Sequence, residues 1–268
     1  MSDPYPYNAA LDLVDRHLDE GREAKPAFID DTREISFGEL AVATRRVANV
    51  LDGLGVAREA RVAVLMLDTV DWPAVFVGAI RTGAVPVALN TLLTKDQYKY
   101  MLSDSRSQVL FVSEALLQAV EPVLGDLPFL KHVIVVGGDA GDHKSFETLM
   151  ASASDVHEAA DTSSDEVAFW LYSSGSTGQP KGVMHVHSSL MDTARTYGAG
   201  TLGISEDDVC FSAAKFFFAY GLGNSLTFPL SVGATTILLS GRPTPQAVPV
   251  SYTHLRAHET KTRISFGG

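Results

Sequence analysis

Between Tyr172 and Gly182 the chain reads Tyr-Ser-Ser-Gly-Ser-Thr-Gly-Gln-Pro-Lys-Gly. Ser173, Ser174, Ser176 and Thr177 supply four hydroxyls, Gly175 and Gly178 lie among them, and Pro180 and Lys181 close the segment. These residue types in this order suit phosphate. Glycines permit tight turns that bring backbone N–H groups close to an anion. Hydroxyls add donors, and Lys181 adds a mobile positive charge. Pro180 removes one donor and stiffens the exit. The apolar run 167–172 ahead of the segment reads as a buried strand, and Val183 to Val186 resumes the apolar pattern. A Ser/Gly-rich surface linker does not normally sit between two such runs. The Walker phosphate loop is excluded, because Gln179 rather than lysine follows Gly178.

Other residues could also do chemistry. Phe216-Phe217-Phe218-Ala219-Tyr220-Gly221 offers flat aromatic walls with small gaps, a slot for a planar ring. Core packing is the simpler reading of Phe216 and Phe217. His185 and His187 lie two apart on an expected strand and so would share a face. A metal would need a third ligand, and none is evident nearby, so packed strand histidines are expected. Lys215 could approach a carboxylate or a phosphate, or be solvated. Asp68 and Asp71 bracket a strand–helix turn and are expected to cap it. Lys95 is expected at the surface.

The elements that must position these groups alternate along the chain. Leu11, Val14 and Leu18 recur at helical spacing. Ala27 to Ile35, with Asp30-Asp31 at the turn, reads as a hairpin. Ser36 and Glu39 form a capping box ahead of a helix faced by Leu40, Val47 and Leu51, with Gly55 as its stop. Strands are expected at 62–67, 85–89, 109–112 and 133–136. Helices are expected at 72–82, from Thr94 to Met101 behind a second capping box with Gln97, and at 114–123. The strands are almost wholly apolar, as when helices cover both faces of a parallel sheet. Beyond the polar run 152–165 come the hydroxyl-rich segment, a helix at 188–197 and a strand at 235–239. The expected organisation is a first α/β subdomain over 1–160 and the start of a second over 161–250. Residues 251–268 lack a period, carry Arg256, Lys261 and Arg263 against Glu259, and resemble translated sequencing adapter; they are expected to be a non-native tail.

Composition narrows the function. At 268 residues, 46% hydrophobic and 20% charged, the chain is ordinary globular material. A net charge of -11 argues against a nucleic-acid groove or an anionic membrane surface. Cys210 is the only cysteine, so no intrachain disulfide can form, which fits the cytoplasm. There is no signal-peptide pattern at Met1 to Ala10, and no run approaches the roughly 18 apolar residues of a spanning helix.

The hydroxyl-rich segment resembles the phosphate loop of adenylate-forming enzymes. Phe169 to Tyr172, His185 and His187, Asn90 to Thr94, Asp208 to Lys215 and Phe217 to Asn224 narrow the resemblance to benzoate-CoA ligases, over most of residues 8–250. The resemblance implies the front part of the large N-terminal domain of those enzymes, an α/β fold of parallel sheets covered by helices. It implies activation of an aromatic carboxylic acid by Mg²⁺-ATP, release of pyrophosphate and transfer of the acyl group to CoA. ATP and phosphate contacts fall to Ser173, Ser174, Gly175, Ser176, Thr177, Gly178 and Lys181, with Thr177 as a Mg²⁺ contact. Ala219, Tyr220 and Gly221 fall against the acyl ring. Amino-acid-activating relatives place an aspartate after the phenylalanine where this chain has Ala219, so a substrate ammonium would be unpaired. The family's acidic Mg²⁺ motif, ribose aspartate and catalytic lysine have no counterpart here, so the chain alone is expected to be inactive. The alternatives are a ligase for a substituted benzoate and a protein that binds nucleotide or aromatic acid without turnover.

Overall fold

The computed structural model describes residues 4–173 and 178–244 and the backbone of 262–265. Ser174, Gly175, Ser176 and Thr177 lie outside the described residues, as does most of 251–268.

A π-helical turn, Leu11–Asp15, leads into α1 (Arg16–Asp19), then the hairpin β1 (Pro26–Ile29) and β2 (Glu34–Ser36). α2 (Phe37–Gly53) follows, capped as expected: Ser36 Oγ accepts from Glu39 N–H, and the Glu39 carboxylate accepts from Ser36 N–H. β3 (Arg61–Leu65), α3 (Asp71–Arg81), β4 (Val85–Ala88), α4 (Lys95–Asp104), β5 (Val109–Ser113), α5 (Glu114–Leu124) and β6 (His132–Val136) then alternate. Gly55 and Gly83, at φ of +71° and +74°, supply the left-handed residue that stops α2 and α3. β7 (Lys144–Ser145) and α6 (Phe146–Ser152) end this stretch. β8 (Val167–Ser173) and β9 (Lys181–Val186) flank the hydroxyl-rich segment. α7 (His187–Thr193), β10 (Val209–Ser212), α8 (Ala219–Leu222), α9 (Phe228–Val232), β11 (Thr235–Ile237) and β12 (Thr262–Ser265) complete the order.

The strands form two sheets. One runs β7-β6-β5-β3-β4-β8-β9, parallel except for the antiparallel β8–β9 pair; the other runs β12-β10-β11-β1-β2, parallel except for the β1–β2 hairpin. The α/β fold with helix-covered parallel sheets is therefore as the sequence implied. Alternation explains the apolar strands. Val62, Val64 and Phe111 pack with Leu40, Trp72 and Phe76 from α2 and α3. Their neighbours Ala63, Leu65 and Leu110 pack on the other face with Tyr98, Met101 and Val120 from α4 and α5.

Residue 160 does not divide the sheets. β8 and β9 complete the sheet begun by β3, and β1 pairs with β11 about two hundred residues along the chain. β12, inside the stretch read as a tail, pairs in parallel with β10.

Candidate functional site

Parallel strands deliver their C-terminal ends to one edge of a sheet, where ligands of open α/β sheets bind. β3 ends toward Asp68, β4 toward Asn90 and β8 at Ser173. The β8–β9 register sets Ser173 opposite Lys181, so both stems of the hydroxyl-rich loop stand at this edge. Gly178 has φ of +96°, a conformation that disfavours any side chain at that position. Ser173 and Lys181 are exposed, and Ser173 Oγ lies 3.5 Å from the Lys181 carbonyl.

One helix holds both stems. Tyr172 Oη on β8 donates to Asp104 Oδ2 at 2.7 Å and lies 3.2 Å from the Met101 carbonyl, both on α4. Tyr100 Oη, also on α4, donates to the Pro180 carbonyl at 3.1 Å. Burial, reinforced by the Asp104 contact, pushes the Tyr172 phenol well above its ordinary value, so it stays a donor. α4 is itself fixed by the expected capping box of Thr94 and Gln97.

A cavity of about 590 Å³ opens beside these stems. Tyr172, Ser173, Pro180 and His185 line one side, Asn90, Gln97 and Met101 another, and Phe217, Phe218 and Ala219 close it. A second cavity, about 710 Å³, lies across Phe217 and Phe218 and takes in Leu92, Lys215 and Arg242. The aromatic segment is thus a wall between two hollows. Its root is anchored by rings. Phe216 stacks on Trp72 with centroids 4.4 Å apart, Trp72 on Phe76 at 4.8 Å, Phe76 meets Phe169 edge-on at 5.5 Å, and Phe169 stacks on His185 at 4.5 Å. The ladder runs from the wall to the far side of the same cavity.

Phe216 and Phe217 are buried, in keeping with core packing, whereas Phe218 and Tyr220 are 50% and 42% exposed. Ala219 reaches the first cavity. Gly221 is buried, and a Cβ there would fall 2.0 Å from the Lys215 carbonyl oxygen. It is glycine because two backbones touch.

Two expectations need correction. Neither Asp68 nor Asp71 caps α3. The residue ahead of that helix is Val70, whose N–H donates to Asp30 Oδ2 at 2.9 Å, while Asp71 pairs with Arg33. Asp68 instead turns inward and lies 3.9 Å from Lys215 Nζ. Burial lifts the Asp68 carboxyl to about 7, although Lys215 and the Phe216 N–H pull it down. Lys215, its side chain 16% exposed, thus approaches a carboxylate, one of its two expected settings, and burial lowers its pKa. His185 and His187 do not share a strand face, because β9 ends at Val186 and His187 starts α7. His187 is 1% exposed, and its Nδ1 accepts from Ala9 N–H at 3.1 Å. His185 is half-buried, and burial lowers its pKa below the ordinary histidine value. Lys95 is exposed. Among the described residues no group of three His, Cys, Asp or Glu could hold a metal. Sequence reasoning did not find Tyr100, Gln97 or Asp104 at the site. The only local signal was the capping box that fixes their helix.

The family model for AMP-binding enzymes matches residues 15–260. The chain is 50% identical over 257 residues to a benzoate-CoA ligase of Thauera aromatica, covering 96% of this chain and 48% of that protein. It is also 50% identical over 253 residues to a 4-hydroxybenzoate-CoA/benzoate-CoA ligase of Rhodopseudomonas palustris, covering 94% of this chain and 46% of that one. The crystal structure of the anthranilate CoA ligase AuaEII in complex with anthranoyl-AMP superposes with a TM-score of 0.90 at 36% identity, over 93% of this chain and 48% of that one. A benzoate CoA ligase from Burkholderia xenovorans LB400 superposes with a TM-score of 0.84 at 45% identity, over 94% of this chain and 48% of that one. The chain spans about half the length of the relatives it matches.

Proposed function

The chain belongs to the AMP-binding enzyme family, and from that premise we propose that it carries the phosphate loop and part of the acid pocket of an ATP-dependent aryl-CoA ligase. The observation that carries this reading is one cavity bounded by both stems of the hydroxyl-rich loop and by the Phe217–Ala219 wall. A nucleotide phosphate and a planar acid can meet there.

The chemistry follows from the weakness of a carboxylate as an acyl donor. Attack of the acid's oxygen on the α-phosphorus of ATP makes a mixed anhydride and expels pyrophosphate. CoA thiolate then attacks the acyl carbon and AMP leaves. In-line displacement at phosphorus is helped mostly by positioning and charge stabilisation. Ser173, Ser174, Gly175, Ser176, Thr177, Gly178 and Lys181 hold the departing phosphates in this reading. Mg²⁺ accompanies ATP as its counter-ion, with Thr177 as the contact this chain offers. Ala219, Tyr220 and Gly221 border the acid's ring, Ala219 as lining and Gly221 by allowing α8 to start against Lys215. The relatives' names support benzoate, and Asn90, Gln97 and His185 in the cavity support a hydroxylated ring as the second reading. The single cysteine supports a cytoplasmic setting, and no helix among the described residues is long and apolar enough to cross a membrane.

The test is benzoate-dependent exchange of pyrophosphate into ATP, run on this chain joined to the C-terminal half of the Thauera relative and on the 268-residue chain alone. The joined protein is expected to exchange and the chain alone is not. Lys181→Ala is expected to weaken exchange at low ATP. Unchanged kinetics would remove Lys181 from the role. Binding of benzoate or ATP with no exchange in the joined protein would favour a protein that binds without turnover.

A further inference from the structure

The aromatic wall hangs on a pair of charges that the proposed chemistry does not use. Asp68, 6% exposed, lies beyond the end of β3 in the seven-stranded sheet. Lys215, its side chain 16% exposed, lies beyond the end of β10 in the other sheet. Asp68 Oδ2 accepts from Phe216 N–H at 3.4 Å. Lys215 Nζ donates to the Leu239 carbonyl and lies 3.5 Å from the Ser240 carbonyl, just past β11. Ser240 in turn donates from Oγ to Asp31 Oδ2 at 2.6 Å. Two side chains therefore join the exits of three strands from two sheets, and Phe217, Phe218 and Ala219 start where they meet.

A buried pair with its charges 3.9 Å apart is weak support for stability, because desolvating both groups offsets most of their attraction. Its consequence is geometric. Gly221 presses on the Lys215 carbonyl from behind, and Phe216 is stacked on Trp72 below. With Asp68 and Lys215 in place, the wall has one position relative to both sheets. Without them, the ring stack, the Gly221 contact and the apolar packing of Phe216 and Phe217 remain, but these polar ties to the exits of β3 and β11 are lost.

We propose that Asp68 and Lys215 are positioning residues, a cross-brace between the two sheets that fixes the Phe217–Ala219 wall and so sets how tightly an aromatic acid is held. This rests on reading the cavity beside the wall as the acid pocket.

The experiment measures calorimetric binding of benzoate and, separately, of ATP to the 268-residue chain and to its Asp68→Ala, Asp68→Asn and Lys215→Met variants. It adds acrylamide quenching of Trp72 in a Trp170→Phe background. Asp68→Ala and Lys215→Met are expected to weaken benzoate about tenfold, with ATP within about twofold. Asp68→Asn keeps an oxygen acceptor for Phe216 N–H and is expected to stay within about threefold of the parent for benzoate. Equal benzoate affinity across the variants would overturn the inference while leaving the acid pocket standing. So would parallel losses for benzoate and ATP, which mark a general loss of structure. If the parent binds no benzoate, the acid reading fails, and Trp72 then decides the brace. Greater quenching in Asp68→Ala with Asp68→Asn restored to the parent supports it, and unchanged quenching refutes it.

Discussion

Among the described residues, charge is buried behind the seven-stranded sheet and at the cleft in different ways. Behind the seven-stranded sheet, Arg81 donates to Asp15 Oδ2 at 2.7 Å and to the His157 carbonyl at 2.6 Å, with its side chain 4% exposed. Arg45 adds a second contact to Asp15 at 3.2 Å. At the cleft, Asp68 and Lys215 stand 3.9 Å apart, and burial moves each toward its neutral form. Close contact with several partners compensates desolvation, and a loose pair does not. The first arrangement offsets more of its desolvation with short contacts. The second leaves a carboxyl near neutrality at the edge where ligand chemistry is proposed. Burial alone does not identify a structural ion pair; the contact geometry does.

Arg81→Ala leaves Asp15 partly uncompensated and should cost about 3–5 kcal/mol, read as a lower urea midpoint. A loss under 1 kcal/mol would mean that Arg45 alone satisfies Asp15.

Next comes acid. Burial lowers His17 and His187 from 6.5 to about 4. A depressed histidine pKa favours the neutral fold, so its contribution is present above 6.5 and is lost as pH falls through about 4. His187→Gln should flatten stability against pH across that window by on the order of 3 kcal/mol at most. A parallel curve for parent and variant would remove His187 from the acid response.

Asp68 has the opposite sign. Its raised pKa means that its contribution is present below the ordinary carboxylate value and is lost as pH rises through about 7. Lys215→Met removes the charge that holds Asp68 down, so it should cost about 1–3 kcal/mol and cost more at pH 8 than at pH 6. Equal costs at both values would break the claim that the cleft pair is loose.

Smallest is Tyr100→Phe, which frees the Pro180 carbonyl from α4 at about 1 kcal/mol. The sharper readout is the ATP affinity of the chain, expected to fall while the benzoate affinity holds. No change in either would separate α4 from the phosphate loop.

Local signals were legible because they are short-range physics. The Ser36–Glu39 and Thr94–Gln97 capping boxes form between residues three apart, and Gly55 and Gly83 stop helices through their own backbone angles. Wholly apolar runs announced strands covered on both faces, as Val62 and Ala63 confirm by packing on opposite sides. The phosphate-loop composition and the Phe217–Gly221 segment named the family without any contact being known.

Long-range partners, by contrast, were set by how the chain packs. Asp30 rather than Asp68 accepts from the N–H ahead of α3, because the β1–β2 turn folds against it. His187 leaves the strand for a helix where the β8–β9 pairing ends at Val167 and Val186, its N–H donating to the Glu166 carbonyl at 3.0 Å. β1 joins β11, and Lys215 finds Asp68 across 147 residues of chain. A sequence carries its helix caps and apolar periods within a few residues, whereas a buried charge's partner is chosen by where two sheets happen to bring their strand ends together.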